Sequence, residues 1–117
     1  QTVLRILDIF PSGYQSQIRQ QLSMALLAVI SQRLLPAANG AGRLPVVEIM
    51  LATSGIRNLI RQGHDHQIRA HIETSRLDGM MTMEQSLAEL VRTERVSRET
   101  AFEHSHHPEE LRRHLGG

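Results

Sequence analysis

Near the middle of the chain, Asn39-Gly40-Ala41-Gly42 separates two apolar runs. Asn-Gly is a strong turn signal, because both residues tolerate positive φ. The run after it, Val46-Val47-Glu48-Ile49-Met50-Leu51, is nearly all apolar and partly β-branched, the pattern of a buried strand. The spacing predicts a β-hairpin with arms Arg33–Pro36 and Arg43–Ala52. Two strands alone are marginally stable. No other strand is evident, so a hairpin this apolar is expected to join a sheet supplied by an upstream part of the protein.

Elsewhere the apolar residues recur at helical period. Val3, Leu4, Ile6, Leu7 and Phe10 predict a short amphipathic helix ended by Pro11-Ser12-Gly13. The chain opens inside this helix without a cap, which predicts that Gln1 is a cut or processed end. A longer helix is expected from Ser12 to about Ser31, with Ile18, Leu22, Ala25, Leu26, Val29 and Ile30 on one stripe. Its end is ambiguous, since Ile30 to Leu35 also reads as strand. Asp65 is expected to cap a helix reaching Leu77, with Ile68 and Ile72 inward and Arg69 beside Glu73. Thr82 and Gln85 form a capping-box pattern ahead of Met83, Leu87, Leu90 and Val91. Glu84, Glu89, Arg92, Glu94 and Arg95 are expected outside. Ser97 caps a short helix with Ala101 and Phe102, and Pro108 starts a last one with Leu111 and Leu115.

Composition removes several chemistries. All 13 basic residues are arginine, so the Walker A lysine that reaches the β/γ-phosphates is absent, and Schiff-base chemistry with it. There is no cysteine, which excludes disulfides, thiol catalysis and thiolate metal sites. Aromatics are limited to Phe10, Phe102 and Tyr14, so the core must be aliphatic. No apolar run approaches the roughly 20 residues that span a bilayer. The net charge of +1 argues against nucleic acid or an anionic membrane as partner.

Between Ser54 and Gly63 lies Gly55-Ile56-Arg57-Asn58-Leu59-Ile60-Arg61-Gln62. Ser54 is expected to cap this short helix and Gly63 to end it in the left-handed conformation. Ile56, Leu59 and Ile60 make an apolar stripe, and Arg57 and Arg61 share a second face. Other groupings carry less. His64, His66 and His71, and His104, His106, His107 and His114, contain zinc-compatible pairs. The first group crosses a helix start and the second sits largely in a linker, so surface or capping roles are expected. Asp65 and Glu73 show no sign of burial or of separated pKa values that acid–base work needs. Arg57, Arg61 and Arg69 could form a basic patch, but aromatics for base stacking are missing; an anion or a partner carboxylate is the more modest expectation.

Taken in order, Gly55–Gln62 resembles the AIRNLIRE signature of the twitching-motility retraction ATPases, the PilT family. Ile56 to Arg61 match, while Gly55 stands for Ala and Gln62 for Glu. Arg5-Ile6-Leu7-Asp8-Ile9-Phe10-Pro11 is similar to the family's R-I-I-D-V-F-P. Further agreement runs through Gln21–Leu26, Val29–Gln32, Leu34–Pro36, Asn39-Gly40 to Arg43, Glu48–Met50, His66–Ile68, Gly79-Met80, Thr82-Met83, Gln85–Leu87 and Pro108–Leu111. The resemblance implies the C-terminal portion of a RecA-like α/β ATPase domain plus its helical tail: mostly α, with one β-hairpin. Residues 1–53 would end the RecA-like core, and 54–117 would form a helical subdomain carrying the motif.

The resemblance also implies a cytoplasmic homo-hexamer that uses ATP and Mg²⁺ to power type IV pilus retraction with the inner-membrane pilus machinery. The phosphate-binding motifs precede the matched part, so no cofactor, no catalytic residue and no metal ligand is expected here, nor direct membrane insertion. The missing cysteines separate the chain from related extension and secretion ATPases, many of which carry a four-cysteine zinc element. The family associates the signature helix with retraction, a role carried onto Ile56, Arg57, Asn58, Leu59, Ile60 and Arg61. Both arginines are then expected to meet a neighbouring segment or subunit. The alternatives are a stand-alone helical module binding an acidic protein partner and a histidine-based metal protein.

Overall fold

A computed structural model describes residues 2–116, with side chains from Arg5 onward. The side chains of Val3 and Leu4, expected in the first stripe, lie outside what is described, as do the readings at Gln1 and Gly117. The order is α1 (Thr2–Asp8), α2 (Gln15–Ala25), β1 (Ala28–Pro36), β2 (Arg43–Leu51), α3 (Ser54–Gln62), α4 (Asp65–Glu73), α5 (Met83–Arg92), α6 (Arg98–His104) and α7 (Pro108–His114), with 3-10 turns at Ser12–Tyr14 and Arg76–Asp78. The fold is mostly helical with one antiparallel hairpin. Among the described residues no helix is long and apolar enough to cross a membrane.

Two compact units form, Gln1–Val29 with Ile49–Met80 and Ile30–Glu48 with Met81–Gly117. Each hairpin strand contributes residues to both. The first unit is built on Leu7, Met50, Ile56, Ile60, Ile68, Ile72 and Met80. The second is built on Leu35, Val46, Leu87, Ala88, Leu90, Val96, Ala101 and Leu111. Both cores are aliphatic, as three aromatic residues in the chain require.

The hairpin turn follows its sequence. Gly40 and Gly42 take φ of 73° and 86°, and the Asn39 side chain accepts from the Ala41 N–H at 2.9 Å. Strand β1 begins earlier than expected. Helix α2 stops at Ala25, and Leu26 is already extended, with ψ 136°. Val29 and Ile30 therefore belong to a strand of alternating burial, and Ile30 is 67% exposed. Their i+11 and i+12 spacing fitted the helical stripe by coincidence of period. Phe10, expected on the first stripe, is largely exposed, while Leu7 is buried.

The expected helix from Asp65 to Leu77 ends at Glu73, and a separate 3-10 turn follows. Helix α5 starts as predicted. The Thr82 hydroxyl accepts from the Gln85 N–H at 3.1 Å, and the Gln85 side chain accepts from the Thr82 N–H at 2.9 Å. The same hydroxyl donates to buried Glu110 of α7 at 3.0 Å, which ties two helix starts together. Glu84, expected outside, is buried: it accepts from the Ser105 hydroxyl at 2.9 Å and lies in a first turn, where the helix dipole favours negative charge. Ser97 caps α6 as read, accepting from the Thr100 N–H. After α5, Glu94 occupies the left-handed position with φ 59°, where a glycine is usual.

Two substitutions test this account. Thr82→Ala removes the cap and its bond to buried Glu110, so urea denaturation should show a loss of about 2 kcal/mol. Glu94→Gly relieves the left-handed strain and should gain about 1 kcal/mol in the same measurement.

Candidate functional site: the signature helix and its arginine supports

Helix α3 forms because its ends are both closed. Thr53, rather than the expected Ser54, is the N-cap, its hydroxyl accepting from the Ile56 N–H at 3.4 Å. The helix therefore begins one residue earlier, and Ser54 is its first helical residue. Gly63 ends it at φ 75°, with the Gly63 and His64 amides donating back to Ile60 and Leu59 carbonyls. This is the Schellman arrangement that glycine permits without a Cβ penalty.

The apolar stripe is seated as predicted. Ile56 and Ile60 are fully buried and Leu59 is packed against the same core. Truncation of either isoleucine to alanine would leave a cavity of the kind that costs about 2–5 kcal/mol.

The two arginines separate. Arg57 is half-buried and donates to the Ser23 carbonyl at 2.6 Å. Ser23 lies in the last turn of α2, where carbonyls lack helical partners and carry the negative end of the dipole. Arg57 thus closes the end of a different helix. Arg61 is exposed and donates across one turn of its own helix to exposed Asn58. Asn58 and Arg61 form the outward edge of the motif. Equal i, i+4 spacing hid this division.

A second arginine works in the opposite direction. Arg19 of α2 meets Asp65 in a fork, Nη1 to Oδ1 at 2.8 Å and Nη2 to Oδ2 at 2.6 Å, with both side chains largely covered. Its Nη1 also donates to the Ile60 carbonyl at 3.3 Å, in the last turn of α3. Its hydrogen bonds with Asp65 raise the Arg19 pKa above the ordinary arginine value, while desolvation opposes and the Asp65 charge adds to the rise. Asp65 is therefore not the helix cap expected from its position: His64 is, without a side-chain bond, and the carboxylate turns to Arg19. A separation of 46 positions leaves no periodic signal for the pair. The one available signal was the chemistry of an acid at a helix start.

The other groupings resolve simply. Asp65, weighed with Glu73 as an acid–base pair and set aside, bonds Arg19. Of the three arginines weighed as a patch and set aside, Arg57 points to Ser23, Arg61 is exposed and Arg69 is half-buried. The His64 and His66 rings are 6.5 Å apart and tilted. His104 bonds the Thr100 carbonyl through Nδ1 at 2.9 Å, and His114 lies 3.7 Å from Glu110. His71 lies against Gly55: a Cβ there would stand 2.5 Å from its Cε1.

That contact predicts a coupled pair. Alanine at 55 is intrinsically better in a helix by about 1 kcal/mol, but the His71 ring must move to admit it. In a double-mutant cycle by thermal or chemical denaturation, Gly55→Ala should be about 1 kcal/mol more favourable in the His71→Ala background than in the original chain.

No protein-family model matches the chain. Individual proteins do. Over 110 residues it is 42% identical to a twitching motility protein of Neisseria gonorrhoeae, spanning 94% of this chain and 29% of that protein. Over 108 residues it is 40% identical to the type IV pilus retraction ATPase PilT of Pseudomonas aeruginosa, spanning 92% and 31%. Its fold matches a crystal structure of the pilus retraction motor PilT with bound ADP at a TM-score of 0.82 and 41% identity, covering 96% of this chain and 31% of that one. The chain thus spans under a third of the length of these relatives. With 40–42% identity over more than nine-tenths of its length and a matching fold, the chain belongs to the PilT family and corresponds to the C-terminal part of its RecA-like fold.

Proposed function

We propose that the chain is the C-terminal part of a hexameric cytoplasmic ATPase that powers type IV pilus retraction at the inner-membrane pilus machinery. Residues 1–53 are read as the end of the RecA-like core and 54–117 as the helical subdomain. The observation that carries the reading is the intact run Ile56–Arg61 on a helix whose apolar side is buried and whose Asn58–Arg61 edge faces outward. ATP and Mg²⁺ belong, in this reading, to segments beyond these residues, since phosphoryl transfer in this class needs a phosphate-binding lysine and this sequence contains no lysine. Alone, the chain is expected to be inactive as an ATPase.

Within that reading Ile56, Leu59 and Ile60 anchor the helix, Arg57 fixes it to α2, and Asn58 and Arg61 present the surface that meets a neighbouring segment or subunit during the ATP-driven cycle. A planar guanidinium on an exposed edge suits a partner carboxylate, to which it bonds in a fork.

The reading frame upstream of the Gln1 codon tests the assignment. A Gly-x-x-x-x-Gly-Lys-Ser/Thr loop and an acidic Walker B strand are expected there, and a start codon directly before Gln1 would overturn it. In the complete motor, Arg61→Ala should lower retraction about fivefold or more, the lower range of a typical coupling energy, with ATP turnover retained. Unchanged retraction would remove Arg61 from the working surface.

A further inference from the structure

Helices α2 and α3 hold each other by exchanged arginines. Arg57 of α3 closes the last turn of α2 at Ser23, and Arg19 of α2 closes the last turn of α3 at Ile60. Arg19 then reaches on to Asp65, the first residue of α4. Gly63, between α3 and α4, lies beside the Arg19 guanidinium, and its φ of 75° rather than any shortage of space favours glycine there. One side chain therefore bonds both the last turn of α3 and the first residue of α4. The bonds are charge-assisted, and the Arg19–Asp65 pair is bidentate, the geometry that specifies orientation as well as proximity.

We propose that Arg19 and Asp65 are positioning residues for the signature helix, setting the direction in which Asn58 and Arg61 are presented. A lysine at 19 would keep the charge and lose the fork, because an ammonium is a point charge on a flexible stem. An asparagine at 65 would keep the shape and lose the charge. The α2–α3 pair then moves as one body, and any force applied at Arg61 passes to α2 through the exchanged caps. This step rests on the reading of α3 as the working edge of a motor.

The test has two independent parts. Amide exchange on the 117-residue chain is followed for Arg19→Lys, Asp65→Asn and Asp65→Glu. The first two should speed exchange in the last turn of α3 and first turn of α4 about tenfold, as expected for local opening after loss of a charge-assisted bond. Helices α5–α7 should be unaffected, and Asp65→Glu should recover most of the protection. Exchange within twofold of the original chain in both variants overturns the proposal, as does uniform acceleration that includes α5–α7. In the complete motor, the same two variants should slow retraction while ATP turnover stays intact, a split that general destabilisation would not produce. Local exchange changes with retraction unaltered would leave the clamp standing and overturn the role of α3 as the working edge. Absence of ATP hydrolysis in the unmutated complete protein would overturn the motor reading itself and leave the exchange result unaffected.

Discussion

Arginine donated to the carbonyl end of a helix is the interaction on which this structure depends most. Arg57 closes α2, Arg19 closes α3, Arg33 closes α6 at His104, and Arg92 closes α7 at His114. Each of these helices is short, and a short helix has nearly as many unpaired terminal carbonyls as internal bonds. The positive charge also opposes the negative end of the helix dipole. A guanidinium does this well because it carries several donors in a rigid plane and is less strongly hydrated than an ammonium. An all-arginine set of cations therefore has a structural use here. The residue that bonds a carbonyl retains donors for a second partner, as Arg19 does with Asp65.

What was legible in the sequence was local. The Asn39-Gly40 turn, the Thr82–Gln85 capping box, the Ser97 cap and the Gly63 terminus each involve groups within five residues of one another, and each formed as read. The stripes of α3 and α5 were also legible, since burial follows a period that the residues display. The failures share a cause. The junction of α2 and β1 was misread because Val29 and Ile30 satisfy both a helical spacing and a strand alternation. Glu84 was placed outside because a carboxylate is ordinarily exposed, and its burial depends on Ser105, far along the chain.

The candidate site shows the same limit more sharply. The order of its residues carried the resemblance, but it did not reveal the surroundings of each side chain. Arg57 and Arg61 are chemically identical and one turn apart, and only the position of α2 decides that one is internal and the other outward. Asp65 resembles a helix cap by every local criterion, and Arg19 resembles a solvated residue on the polar side of α2. Their pairing exists only after both helices have packed. Long-range ion pairs leave no spacing rule in sequence, so the clamp that orients the motif lay beyond sequence-based reasoning.

The two departures from the family signature have physical explanations at the helix ends. Glycine at 55 gives up helix propensity, yet it opens space that the His71 ring occupies. The missing methyl leaves space that the His71 ring fills, which packs α4 against the start of α3. Glutamine at 62 replaces a carboxylate in the last turn of α3, where negative charge would oppose the helix dipole and stand in the turn that Arg19 closes. Neither substitution touches the buried isoleucines, the α2 cap or the exposed Asn58–Arg61 edge. The middle of the helix buries Ile56 and Ile60 on one side and leaves Asn58 and Arg61 exposed on the other.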